Sequence, residues 1–547
     1  MTTIAFERLS EVFSPLAYLL AAGGDTRLLL DQASRLNAYG CRPYPRPEAF
    51  TFASSTATSI SERAYRRAEA AREDLIRASM QHGLDLAFDE RVEELRRDLE
   101  KLLGIEGMGA AIVLSPSGTD GELQALFVAR SLGSAPLTNV LAAADETGSG
   151  VALASAGRHF SSLTALGALV AKGEPIAGLA EDVTSIGVPL RGDAGHIRSG
   201  AEMDAAVLAA IAGALAAGRR VSLHVMDHSK LGTRCPSLAC LAEIKSRWGD
   251  AVAVVIDACQ MRLGRPRLRW HLDQGHMVLV TGSKFFTGPP FCGALLVPAA
   301  MAARMAEVAA APEGFADYTS RSDWPREWTG VRSSLRERAN LGQYLRWVAA
   351  AQEMRDYFAV PLEFRKFALG QFAEIVSGLI ALEENLELLP DRAECDPDGD
   401  EEFAARTILP FLLRRTGRAL SLPESAMLYR ALNDDVSAFL PATAGERQRR
   451  LAAQPCHIGQ PVAVTDPASG AATAALRISA GARVVSENWS AEGESVAVAN
   501  LRGEFEQVRA ILAKIDLLLR NFDIVERAEA ERDAQARNAP DSARRRA

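Results

Sequence analysis

Three stretches of this sequence carry side chains that could do chemistry together. Lys284 lies in Thr281-Gly282-Ser283-Lys284, an amine among small hydroxyl residues just beyond the apolar run Met277–Val280. Asp257 ends the run Val252-Ala253-Val254-Val255-Ile256, a β-branched stretch typical of a buried parallel strand that delivers its last residue to the sheet's carboxyl edge. Ser117-Gly118-Thr119 separates the apolar run Ala110–Leu114 from a helical stretch through Leu123 to Ala129. A strand, a small-residue turn and a helix start present backbone N–H groups and a positive dipole end, which suits a phosphate. A desolvated lysine amine is a nucleophile, because burial disfavours its ammonium form. Taken singly, each feature also has an ordinary reading as a surface lysine, a strand-end aspartate or a capped turn.

Such placements require a sheet whose strand ends converge. Asn139–Ala143 and Val221–Val225 read as further strands, and the alanine-rich stretch Ala201–Ala217 and a segment from Pro236-Ser237 to Trp248 read as helices between them. This alternation from Ala110 to Val297 predicts an α/β fold, a mostly parallel sheet covered by helices, with ligand at the carboxyl ends of the strands. Every residue singled out lies just after a predicted strand or on the helix that follows one.

With Gln260 after the aspartate and Gly288-Pro289-Pro290 after the lysine, the set resembles the fold type I pyridoxal-phosphate enzymes, specifically the class V aminotransferase and cysteine desulfurase-like group. The resemblance implies pyridoxal 5'-phosphate as cofactor, a Schiff base at Lys284 and pairing of Asp257 with the pyridinium nitrogen, which keeps the ring able to accept electrons. It implies phosphate binding by Ser117, Gly118, Thr119, Thr281 and Ser283. His159, within Ser155–Leu163, matches the ring that stacks on the pyridine, and Ser229 or Gln260 would tune the phenolic oxygen. The family carries asparagine then Thr-Gly where this chain has Ser229 and Leu231-Gly232, so His228 competes with Ser229 for that role. Thr329, in Glu327-Trp328-Thr329-Gly330, matches a turn that reaches the partner subunit's phosphate, which implies a homodimer. Arg477, in Arg477-Ile478-Ser479, matches the arginine that grips the substrate's α-carboxylate, for which a guanidinium fork is suited.

The expected activity is an aminotransferase acting on an amino acid. A pyridoxal-phosphate-dependent lyase or cysteine desulfurase is the alternative, and a non-catalytic relative serving as an interaction module is a third reading. A desulfurase needs a thiol on a flexible loop, whereas the family position falls near Ile458 and the nearest cysteine is Cys456. A nucleotide-binding reading of the Ser-Gly-Thr turn fails because no GxxxxGK[ST] is present.

Composition narrows the setting. The 547 residues carry a net charge of −8, which argues against nucleic acid as a partner. Seven scattered cysteines without a CxxC fit a reducing, cytoplasmic compartment and no zinc site, and the eight histidines show no ligand spacing with them. No apolar stretch is long enough to span a membrane, and no secretory signal is evident at the first residues.

The expected organisation is an N-terminal helical and extended segment (1–60), with helices broken at Gly23-Gly24 and prolines at 43, 45 and 47, then a large cofactor-binding domain (61–335). Phe50–Ser59, rich in hydroxyls, reads as a polar loop, with a substrate-facing segment as the alternative. A helical connector (336–363), rich in Arg and Trp, reads as interface or surface. A smaller α+β C-terminal domain (364–525) and a charged tail (526–547), expected to be frayed or disordered, complete the chain.

Overall fold

The computed structural model describes residues 10–32, 34–192, 197–390 and 400–538. A short strand, β1 (Phe50–Phe52), precedes β2 (Ala111–Ser115), β3 (Leu137–Ala142), β4 (Val183–Val188), β5 (Arg220–Met226), β6 (Val252–Asp257), β7 (Met277–Thr281) and β8 (Gly293–Val297). The last seven form one sheet in the order β2-β8-β7-β6-β5-β3-β4. The pairings from β4 through β7 are parallel, while β8 runs antiparallel to β7 and β2. Side chains alternate between two cores. Val254, Ile256, Val278 and Val280 join one, and Ala253, Val255, Met277 and Leu279 join the other. Burial on both faces explains the uninterrupted apolar runs of the central strands. β4 lacks that signature because it lies at the sheet's edge, with Ile186 exposed.

The smaller sheet contains β9 (Leu386–Leu388), β10 (Ile408–Arg415), β11 (Arg418–Ala419), β12 (Cys456–Thr465) and β13 (Ala472–Ser479). β1 joins it by pairing parallel to β12, with Phe50 opposite Cys456 and Phe52 opposite Ile458. The N-terminal segment is thus stitched into the C-terminal domain, and the stretch expected to be a polar loop begins as a strand.

Two other expectations change. The helix Leu341–Ala359 is core, not surface. Arg346 and Trp347 are buried, and the helix packs along Glu62–His82 and Leu84–Leu103. Arg346 donates to the carbonyls of Phe291, Leu20, Ala22 and Gly23, which explains why a cation is tolerated there. The charged stretch after residue 525, expected to fray, continues as the helix Phe522–Asn538, where Glu529 pairs with Arg430. Residues beyond 538 lie outside the described part.

The domains are fastened by Arg262. Its Nε donates to Thr407 Oγ1 (2.8 Å), Nη1 to the backbone and side-chain oxygens of Gln260 (2.9 and 2.8 Å), and Nη2 to Ser54 Oγ (2.9 Å) and the Ala480 carbonyl (3.0 Å). One buried guanidinium therefore ties the segment after β1 and the C-terminal sheet to the loop after β6. Burial, with Arg477 nearby, lowers its pKa to about 9. Arg262→Met leaves these acceptors buried without donors and is expected to cost roughly 2–4 kcal/mol of unfolding free energy, measured by urea denaturation.

Candidate active site

Asp257 and Lys284 reach the same edge of the large sheet because β6 and β7 are parallel neighbours with Asp257 opposite Leu279. Thr281, Gly293 and Ser115 align across β7, β8 and β2 at that edge. A cavity of about 400 Å³ opens there, a size suited to a small-molecule site. It is lined by Lys284, Asp257, Ser117, Gly118, Thr119, Thr281 and Ser283 from the large domain, and by Arg477 from β13. A second cavity of about 500 Å³, lined in part by Arg46, Arg483, Glu487 and Glu504, includes none of the strand-end residues above.

One side of the cavity is the start of the helix Gly118–Ser131. Ser117 caps it by accepting from the Asp120 N–H (3.2 Å). The first-turn N–H groups have no intrahelical acceptor and suit an anion. Two glycines make the approach possible. A Cβ on Gly118 would lie 2.6 Å from Cys259 Sγ, and one on Gly293 would lie 2.7 Å from the Ser117 carbonyl carbon. Arg27 reaches the same place from the N-terminal segment, with Nη2 3.5 Å from Ser117 Oγ, held by paired hydrogen bonds to Asp25. Burial, reinforced by Asp25, raises the Asp120 carboxyl to about 7. Thr281 Oγ1 donates to the Cys259 carbonyl (2.7 Å) and keeps a lone pair for a further donor.

The charges at the centre are left open. The Lys284 amine makes no hydrogen bond or ion pair among the described residues, and the Asp257 carboxylate, which accepts from the Cys259 N–H (3.1 Å), forms no ion pair there. The neighbouring carboxylate Glu122 faces a histidine. Its Oε2 lies 2.9 Å from Nδ1 of His224, both buried and out of hydrogen-bond alignment. Burial raises the Glu122 pKa; it opposes a charge on His224, but Glu122 outweighs it and raises that group as well.

No protein-family model and no curated protein matches this chain. Among solved structures it is similar to mouse CSAD, 14% identical over 92% of this chain and 98% of that one, with a TM-score of 0.46. It is similar to the cystine C-S lyase C-DES in complex with cysteine persulfide, at 16% identity, 84% and 97% coverage and a TM-score of 0.44. Oryza sativa TDC with PLP and tryptamine is similar at 15% identity, 86% and 84% coverage and a TM-score of 0.45. These values describe a remote likeness and decide nothing about the reaction.

Other residues expected at the site stand elsewhere. The helix before His159 is one turn long, Val151–Ala154, so the chain turns away and His159 joins a hairpin with Glu174. Its Nδ1 lies 2.7 Å from the Tyr318 hydroxyl and its ring stacks on Tyr318, outside the cavity lining. Gly148 and Ser149 face the cavity from that segment, and its aromatic lining is Tyr39 and Phe291. Ser229 is buried, donating to Glu146 and accepting from the Leu231 and Thr233 N–H groups (3.1 and 3.0 Å), so it organises its loop. His228 Nδ1 is bonded to Asp227. Gln260 Nε2 donates to the Ser55 carbonyl (3.1 Å) while its oxygen serves Arg262, which turns it away from the cavity. Thr329 is exposed at the start of the helix Thr329–Ser334 and does not line its own chain's cavity.

Arg27 and Tyr39 line the cavity although nothing near them in sequence marks them, and Thr56, Lys230 and Phe291 join them from the hydroxyl-rich stretch, the loop of Ser229 and the segment after Gly288-Pro289-Pro290. Lys230 is the most informative. Burial, then the charges of Arg477 and Lys284, lower its pKa to about 8, and its amine makes no hydrogen bond or ion pair among the described residues. Because its folded pKa lies below the ordinary 10.5, the unfolded chain binds the extra proton. The cost to stability is therefore full below about pH 8 and fades as pH rises towards the unfolded value. Lys230→Met should stabilise the ligand-free protein at pH 7 by roughly 1–2 kcal/mol, allowing for partial exposure, with the gain vanishing above about pH 10.5 in thermal unfolding.

Proposed function

We propose that the cavity binds pyridoxal 5'-phosphate at Lys284 and that the protein is an aminotransferase acting on an amino acid, as a homodimer. The observation that carries this reading is an unpaired lysine amine and an unpaired carboxylate facing one cavity beside an open helix N-terminus. Bound there, the cofactor would supply an aldehyde carbon for the substrate amine and a ring that accepts electrons from Cα.

The chain's residues divide the remaining work. The first-turn N–H groups at Gly118 and Thr119, with Ser117, Thr281, Ser283 and Arg27, hold the phosphate. Asp257 would hold the cofactor's ring nitrogen in its protonated form, since a carboxylate there stabilises that charge. The Lys284 amine takes the proton from the substrate's Cα and returns it on the far side of the reaction. Arg477 orients the α-carboxylate, which suits a reaction that retains it. The cavity's one thiol, Cys259, is buried with its pKa well above the ordinary value, and Cys456 is buried with its pKa raised to about 11, so neither suits sulfur transfer. Cys395 lies outside the described residues.

The purified protein, given pyridoxal phosphate, should turn yellow and lose its visible band on borohydride reduction, with the added mass on Lys284. Lys284→Ala should abolish the label, and Asp257→Ala should lower turnover at least about a hundredfold. An amino-acid screen following ketoacid, ammonia and sulfide decides the reaction. Ketoacid-dependent return of the original spectrum supports transamination, sulfide or alanine from cysteine supports a desulfurase, and a protein that stays colourless supports a non-catalytic role.

A further inference from the structure

The cavity lining holds one cation, Lys230, to which the proposed chemistry gives no role. Given the cofactor reading, on which this inference rests, Lys284 and Asp257 are committed to the cofactor. Arg27 is already paired with Asp25. Lys230 remains, beside the Arg477 that orients the α-carboxylate, and neither forms an ion pair among the described residues. Arg477 donates only to neutral oxygens: Nη1 to the Lys230 carbonyl (3.1 Å), and Nη2 to Thr56 Oγ1 (2.9 Å) and the Gln460 carbonyl (2.7 Å). Its Nε is buried without a partner.

Lys230 follows β5 of the large sheet and Arg477 lies on β13 of the smaller one, and the contact between the two residues runs through the Lys230 backbone. Ser229 Oγ pins the loop that carries Lys230, and the Lys230 carbonyl receives the Arg477 guanidinium. The nearby acid Glu146 does not balance them by contact, because Arg191 (3.1 Å) and Ser229 engage its carboxylate. Two like charges sheltered together cost stability unless anions offset them. One α-carboxylate satisfies only one of them.

We infer that the substrate is an amino acid with a second acid group on its side chain, with Arg477 holding the α-carboxylate and Lys230 the side-chain acid. Lys230 is thus a specificity-determining residue. A neutral amino acid would leave its ammonium sheltered and unpaired, which a site specific for neutral side chains would avoid.

Glutarate and butyrate, unreactive acids of similar reach, test this by calorimetric titration of both the ligand-free and the pyridoxal-phosphate-loaded protein. Glutarate should bind at least about tenfold more tightly than butyrate. Lys230→Met should remove that preference while leaving butyrate within about threefold, Lys230→Arg should retain it, and Arg477→Met should weaken both acids. Equal affinities in the wild type, or a preference that survives Lys230→Met, would overturn the assignment. Loss of the visible cofactor band in Lys230→Met would overturn it too, by placing Lys230 in cofactor binding. Failure of the wild type to form that band counts against the cofactor reading alone, since the titration of the ligand-free protein still decides the acid subsite.

Discussion

The register between β6 and β7 is the constraint on which the chemistry of this protein depends. With Asp257 opposite Leu279, the carboxylate leaves the sheet at the edge where the next strand ends and Lys284 follows. Strand side chains alternate with a period of two, so a slip of one residue would turn Asp257 and its apolar neighbours to the opposite face. Residues on both faces of these strands enter large cores, so such a slip would exchange fitted side chains between two close-packed interiors. Stability and site geometry are therefore set by the same pairing.

The sheet edge alone would be an open shelf. It becomes a cavity because the N-terminal segment and the C-terminal sheet close over it, and both are held by buried arginines. Arg262 joins the segment after β1 and the C-terminal sheet to the loop after β6, while Arg346 holds the turn at Leu20–Gly23 against the carbonyl of Phe291. Each spends its donors on neutral oxygens, which satisfies hydrogen bonding but leaves a buried positive charge. The cavity lining sets the cations Arg27, Lys230, Lys284 and Arg477 against the carboxylates of Glu122 and Asp257, although the whole chain is acidic. An anionic ligand is what such an interior favours.

Where local reading and structure diverge, the reason is contact across long sequence separation. His159 looks available from its neighbours, yet the preceding helix stops after one turn and Tyr318 takes the ring. Gln260 follows the aspartate closely but is recruited by Ser55 and Arg262. Ser229 has the right size for a cofactor contact but is consumed by its own loop and Glu146. The Arg- and Trp-rich helix Leu341–Ala359 resembles a surface helix by composition, and it is buried because distant carbonyls satisfy Arg346.

By itself, the sequence determined the alternating strands and helices, the doubly buried centre of the sheet and the strand-end positions of Ser117, Asp257 and Lys284. Those features are local: apolar runs, small-residue turns and caps are written within a few residues of one another. Tertiary structure alone decided which polar groups remain unpaired, because pairing depends on partners hundreds of residues apart. Arg27 at the helix start, β1 beside β12, and Lys230 against Arg477 are all such meetings, and only folding brings them about.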